Sequence, residues 1–177
     1  MKKCFVFISL IFSTLMCANV KMPLLFSDGM VLQRNKEISV WGFADPNEKV
    51  AVHFNRQIVK TQADKNGKWT LNLNAEKAGG PFELIIIGNN KITIKNVLVG
   101  EVWICSGQSN MEFQVSKTMN AEKEIADSNY PMIRHFGVAQ DLSGTPKDDL
   151  KAGKWEVSNK ETVGNFTAAG FYFAKKL

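Results

Sequence analysis

The sequence predicts a β-sandwich followed by the opening of an α/β domain, and three observations carry that prediction. Residues 21–99 keep returning to short apolar or alternating runs. Turn sequences separate those runs. After Gly100 the texture changes to strand, helix, strand, helix.

The sandwich strands are "EISVWGFA", "KVAVHFN", "QIVKTQA", "KWTLNLN", "FELIIIG" and "KITIKNVLV". Short strands at this spacing indicate an antiparallel sandwich of jelly-roll or Ig-like kind over residues 21–99. Asp45-Pro46-Asn47-Glu48 and Asp64-Lys65-Asn66-Gly67 are turn sequences, Gly67 being free to take a positive φ, and Gly88-Asn89-Asn90 fits a hairpin. His53 falls inside an alternating strand, where a structural role is expected.

Beyond Gly100, "EVWIC" reads as a strand ending at Cys105, followed by a glycine-containing loop and helix-compatible sequence at residues 121–127. "MIRHFGVA" (residues 132–139) reads as another strand, residues 141–153 as a polar loop, and Trp155-Glu156-Val157 as a short extended piece. "FTAAGFYFAKKL" spaces its apolar residues helically, with Thr167 placed to cap. Residues 100–177 supply only two or three strands of a parallel sheet, whereas such domains usually need about 150 residues. The α/β domain is therefore expected to be truncated in this chain.

Composition is globular, with 45% hydrophobic and 22% charged residues among 177. Residues 1–18, "MKKCFVFISLIFSTLMCA", set Lys2 and Lys3 before an apolar stretch too short to span a bilayer, which is the pattern of a secretory signal peptide. Export to the periplasm or the exterior is expected, without stable membrane insertion. Cys17 raises the question of a lipid anchor, but Met16 stands before it where a small residue is wanted, which argues against one. Loss of Lys2 and Lys3 lowers the formal charge from +5 to +3, and the remaining lysines are scattered among acids, so no nucleic-acid surface is expected. Of the three cysteines only Cys105 lies beyond the signal. No internal disulfide follows, and Cys105 is expected to be a small buried hydrophobe or to pair outside this chain.

Candidate chemistry centres on "GEVWICSGQSNMEF", residues 100–113. A serine nucleophile needs to stand at the tip of a rigid element with its backbone N–H free for the oxyanion, and it needs a base. A strand ending at Cys105, with Ser106-Gly107-Gln108-Ser109 leading into a helical turn, meets the first two needs. Gly107 permits a tight backbone, and Gln108 and Asn110 offer polar groups to hold the loop or a substrate. Gly-Gln-Ser-Asn is also an ordinary turn, and the Gly-x-Ser-x-Gly elbow is not met because position 111 is Met. On the residues alone, both readings stand.

The segment "GEVWICSGQSNME" resembles the nucleophile segment of the sialate O-acetylesterase family, enzymes that remove acetyl groups from sialic acids or related sugars. "LFSDGMVLQR", "VWGFADPNEKV", "NGKW" and "GGPFEL" resemble that family's N-terminal β-domain, so the likeness runs over residues 21–177. It implies an SGNH-type, flavodoxin-like α/β/α hydrolase domain, here from residue 100 to 177, after the sandwich. It also implies Ser109 as nucleophile and the Ser109 N–H as one oxyanion donor. Gly170, in "FTAAGFYF", is the candidate second donor, beside the alternative that it merely allows close helix packing. The family's base is a His three residues after an Asp, and this chain has no Asp-x-x-His. His53 does not match, and His135 follows Met132 at that spacing. The chain by itself is accordingly expected to be at best feebly active.

No metal or cofactor is expected, since no His or Cys cluster is present to hold one. The expected partner is an O-acetylated sugar or glycan. Two alternatives remain open: an acetylxylan-type esterase, and a catalytically incomplete carbohydrate-binding or scaffolding β-module. For the module, Trp41, Trp69, Trp103 and Trp155 are candidates to stack on sugar rings, although core packing is the expectation at such strand positions.

Overall fold

The structure, a computed structural model, describes residues 19–177. The expected signal peptide, with Cys4 and Cys17, lies outside the described residues. Seven strands build the first unit: β1 (Val31–Gln33), β2 (Ile38–Phe43), β3 (Lys49–Phe54), β4 (Gln57–Gln62), β5 (Lys68–Leu73), β6 (Gly79–Ile87) and β7 (Lys91–Gly100). They form a five-stranded sheet in the order β1-β7-β6-β3-β4, facing a two-stranded sheet of β2 and β5.

Alternation decides which side chains face inward. In β2 and β5, Ile38 lies opposite Leu73, Val40 opposite Leu71 and Gly42 opposite Trp69, and all six are buried, while Ser39, Trp41, Thr70 and Asn72 face outward. Phe54, Val52, Leu84, Ile86, Ile94 and Val97 meet them from the larger sheet. Burying each such apolar side chain contributes about 1.5–3 kcal/mol. Gly42 is dictated by this packing, because a Cβ there would stand 2.6 Å from the Lys21 carbonyl oxygen and 2.8 Å from the Trp69 ring.

The predicted connectors are present. Gly67 has φ +76° and donates to the Asp64 carbonyl at 3.0 Å, and the Asp64 side chain accepts from Asn66 and Lys68 N–H groups. Glu48, at 8% exposure, turns its carboxylate inward to bind the N–H groups of Asp45 (2.9 Å) and Asn89 (2.6 Å), tying two turns together. One strand departs from the antiparallel expectation: β1 pairs with β7 in parallel.

The remainder comprises α1 (Ser109–Glu112), a 3-10 turn at Val115–Lys117, α2 (Ala121–Ala126), β8 (Tyr130–Phe136), β9 (Trp155–Ser158), a second 3-10 turn at Val163–Asn165, and α3 (Ala168–Ala174). Val115, Val163, Phe166, Ala168 and Phe171 form a second small core, against which Ile125, Tyr130 and Tyr172 pack. Lys175 binds Glu124 at 2.7 Å and lies 5.4 Å from the ring centroids of Tyr130 and Phe171, closing that core's rim.

Three expectations need correction here. "EVWIC" is not a strand, since a β-strand exists only through a hydrogen-bonded neighbour and none lies beside residues 101–106 among the described residues. Its apolar side chains stand in the open, Ile104 at 92% exposure. The extended segments around His135 and Trp155 form strands, but as an antiparallel hairpin, β8 against β9, rather than two strands of a parallel sheet. Thr167 occupies the N-cap position of α3, yet its hydroxyl makes no cap bond. The Ala168 N–H instead donates to the Phe113 carbonyl at 2.8 Å.

The hairpin is docked on the sandwich. Trp155 packs against the main core and donates its indole N–H to the Leu25 carbonyl at 2.8 Å, and Arg134 donates to the Asn96 side chain at 3.1 Å.

Candidate active site

The chain leaves the sandwich under tight control. The Gln33 side chain accepts from the Val102 N–H at 3.0 Å and donates to the Glu101 carboxylate at 3.2 Å, while Arg34 meets Glu101 at 2.6 Å. These bonds, that of Gln33 first, hold the Glu101 carboxyl below its usual range.

From there residues 103–106 run along α3. Trp103 meets Phe173 edge to face at 5.0 Å, and Cys105 lies against Gly170. Gly107 then takes φ +153°, a backbone conformation favouring glycine, and turns the chain into α1. Ser109 is the first residue of α1, so its N–H has no intrahelical partner. Its side chain is exposed and makes no hydrogen bond among the described residues. Gln108 and Asn110 flank it, both exposed, Gln108 standing at the N-cap without a side-chain cap bond.

The segment after Ser109 is pinned to the start of α3. Val115 donates to the Phe166 carbonyl at 3.0 Å, and Gln114 bridges Thr167. Gly170 therefore sits near the serine loop, in the first turn of α3. A Cβ on Gly170 would come within 2.8 Å of Thr167 Cγ2 and 2.9 Å of Cys105 Sγ, so glycine is what lets the helix approach the serine-bearing segment. An open hollow of about 340 Å³, lined by Trp103, Cys105, Ser106, Met111, Gly170 and Phe173, lies alongside, with Ser109 outside its lining.

Cys105 is exposed, contrary to the expectation of a buried hydrophobe, because the segment carrying it has a helix on one side and no strand beside it. Of the four tryptophans, Trp69 is core at 3% exposure and Trp155 packs on the core, whereas Trp41 and Trp103 are exposed. His53 faces outward on β3 opposite Ile58 and Ile85. His135 stacks on Phe166 at 4.5 Å, and burial lowers its pKa against the opposing pull of Glu156 across the hairpin. Neither His hydrogen-bonds Ser109. Among the described residues no group of three or more His, Cys, Asp or Glu side chains is placed to hold a metal ion, and no helix is long and apolar enough to cross a membrane.

Reading the sequence missed a pair of side chains next to the serine. Glu112, three residues after Ser109 on the same helical turn, accepts a hydrogen bond from the Gln140 amide in loop 137–154. The spacing of Glu112 from Ser109 was a usable signal. Nothing local points to Gln140.

No family model matches the chain. It is 35% identical over 157 residues to the mouse (Mus musculus) protein named sialate O-acetylesterase, covering 81% of this chain and 29% of that protein. The human (Homo sapiens) protein of the same name is 30% identical over 155 residues, covering 78% of this chain and 29% of that protein. A crystal structure of a carbohydrate acetylesterase from Xanthomonas citri superimposes with a TM-score of 0.88 at 37% identity, over 89% of this chain and 37% of that one. The chain belongs to the sialate O-acetylesterase family. It spans 29% of the length of the curated family members it matches. The mostly β architecture with few helices agrees with the Xanthomonas citri esterase.

Proposed function

We propose that this chain carries the nucleophile of a secreted serine esterase that removes O-acetyl groups from sialic acid or a related sugar. The observation that carries this reading is the placement of Ser109: exposed, first in its helical turn, with no intrahelical partner for its own N–H, and two residues after Gly107, whose positive φ turns the chain into that helix. Residues 21–99 are the β-domain. Residues 100–177 are the start of an SGNH-type α/β/α hydrolase domain in which α3 covers one face of the segment 101–106. The exposed apolar side chains of Val102 and Ile104 support that segment as a sheet strand of the complete hydrolase domain.

In the reaction, the Ser109 hydroxyl oxygen attacks the acetyl carbonyl carbon and its proton passes to a base. The tetrahedral oxyanion is held by the Ser109 N–H and by the Gly170 N–H. Collapse expels the sugar oxygen, which takes the proton back from the base, leaving acetyl-Ser109. Water then attacks that ester, releases acetate and restores the hydroxyl. Gln108 and Asn110 hold the loop or the substrate beside the serine. The base is the family's His of Asp-x-x-His, which residues 1–177 do not contain, so these residues alone are expected to turn over orders of magnitude more slowly than a complete triad. The protein is exported to the periplasm or the exterior by its N-terminal signal.

The test is acetate release by protein expressed from its native gene, offered O-acetylated sialic acid and acetylxylan in parallel. Turnover preferring the sialic acid ester supports the reading. Preference for acetylxylan replaces the substrate, and saturable sugar binding without acetate release from either replaces the esterase with a binding module.

A further inference from the structure

The nucleophile turn is short and poorly self-supporting. Helix α1 has only four residues, none of them buried, and its N-cap makes no side-chain bond. Isolated helical turns of this length are unstable in water because nucleation fixes several dihedrals for a single hydrogen bond. Something outside α1 has to fix the direction of Ser109.

Backbone bonds after the turn, at Phe113 and Val115, anchor its C-terminal end to the start of α3. Among the described residues, Glu112 provides the one side-chain hydrogen bond of α1, accepting from Gln140. Residues three apart on a helix share a face, so the bonded carboxylate lies on the side of the turn that carries Ser109.

Gln140 is in turn held by a loop with its own anchors. The Ala139 N–H bonds Ala152 across the loop base at 3.1 Å. Asp149 accepts from the Leu24 N–H at 3.0 Å, Asp148 meets Lys68 of β5 at 2.6 Å, and Asp141 pairs with Lys147 inside the loop. Loop 137–154 thus spans from the sandwich to the serine turn.

We infer that Glu112 and Gln140 are positioning residues for Ser109: together they form a clamp through which loop 137–154, braced on the β-sandwich, fixes the nucleophile turn. This rests on the reading of Ser109 as nucleophile. It also gives the β-domain a part in catalysis without contact to substrate.

The test uses protein expressed from its native gene. Glu112→Leu and Gln140→Leu are each expected to lower kcat for the acetyl ester by about 10- to 100-fold with KM nearly unchanged, as misplacement of an attacking group does. Amide hydrogen exchange should rise about tenfold or more across residues 108–114 and stay unchanged in β7, which separates the clamp from loss of fold. The exchanged pair, Glu112→Gln with Gln140→Glu, rebuilds the bond in reverse and should recover both readouts. Unchanged exchange and kcat in the single variants would overturn the clamp, and so would failure of the exchanged pair to recover them. Full activity in Ser109→Ala would instead sink the nucleophile reading, whatever the exchange data show.

Discussion

Gly170 and Cys105 are in such close approach that any side chain at position 170 would meet the cysteine sulfur, with its Cβ 2.9 Å from Sγ. Helix α3 and the serine-bearing segment are fitted to each other at this point. Gly170→Ala should destabilise the fold by about 1–3 kcal/mol, the usual cost of overpacking. Cys105→Ala, by removing the sulfur, should recover part of that loss in the double variant. Thermal denaturation of the two single variants and the double measures the coupling, and simple additivity would mean that the two residues do not touch.

Glu48 ties two turns of the sandwich by accepting from two backbone N–H groups while nearly buried. Glu48→Ala removes the acceptor of both bonds and should cost about 1–3 kcal/mol. Urea denaturation reads this directly. A midpoint within error of the wild type would show that water replaces the carboxylate at no cost.

His135 has its pKa lowered in the fold, chiefly by burial, from an ordinary value of 6.5. The folded state therefore favours the neutral ring. Its contribution to stability is fully present above pH 6.5 and is lost as the pH falls through the lowered folded value, because the unfolded chain takes up the proton first. Melting temperatures of wild type and His135→Phe, compared from pH 8 to pH 5, should diverge only in the acid half, with the wild type falling more steeply. Parallel curves would contradict this assignment of the ring's environment.

The sandwich was legible in the sequence because alternation is a local signal. Ile38, Val40, Val52, Leu71 and Leu73 announce their inward face at every second residue, and Asn66-Gly67 announces its turn. Strand β1 was not legible, since Val31–Gln33 is too short to alternate and its partner β7 is distant in sequence. "EVWIC" carried every local mark of a strand, but pairing is a property of neighbours, and residues 101–106 have none among those described.

At the site, the position of Ser109 at a helical start after a positive-φ glycine was readable from Gly107 and the apolar run before it. The partnership of Glu112 with Gln140 was not, because it depends on how loop 137–154 returns across the molecule. The antiparallel pairing of His135 with Glu156 was hidden for the same reason.

The most direct measurement is acetate release from O-acetylated sialic acid by protein expressed from its native gene, wild type against Ser109→Ala. The account predicts that removing the hydroxyl lowers kcat by about a thousandfold or more. The melting temperature should stay nearly constant, since Ser109 is exposed and makes no hydrogen bond among the described residues. A Ser109→Ala protein releasing acetate at nearly the wild-type rate would contradict it.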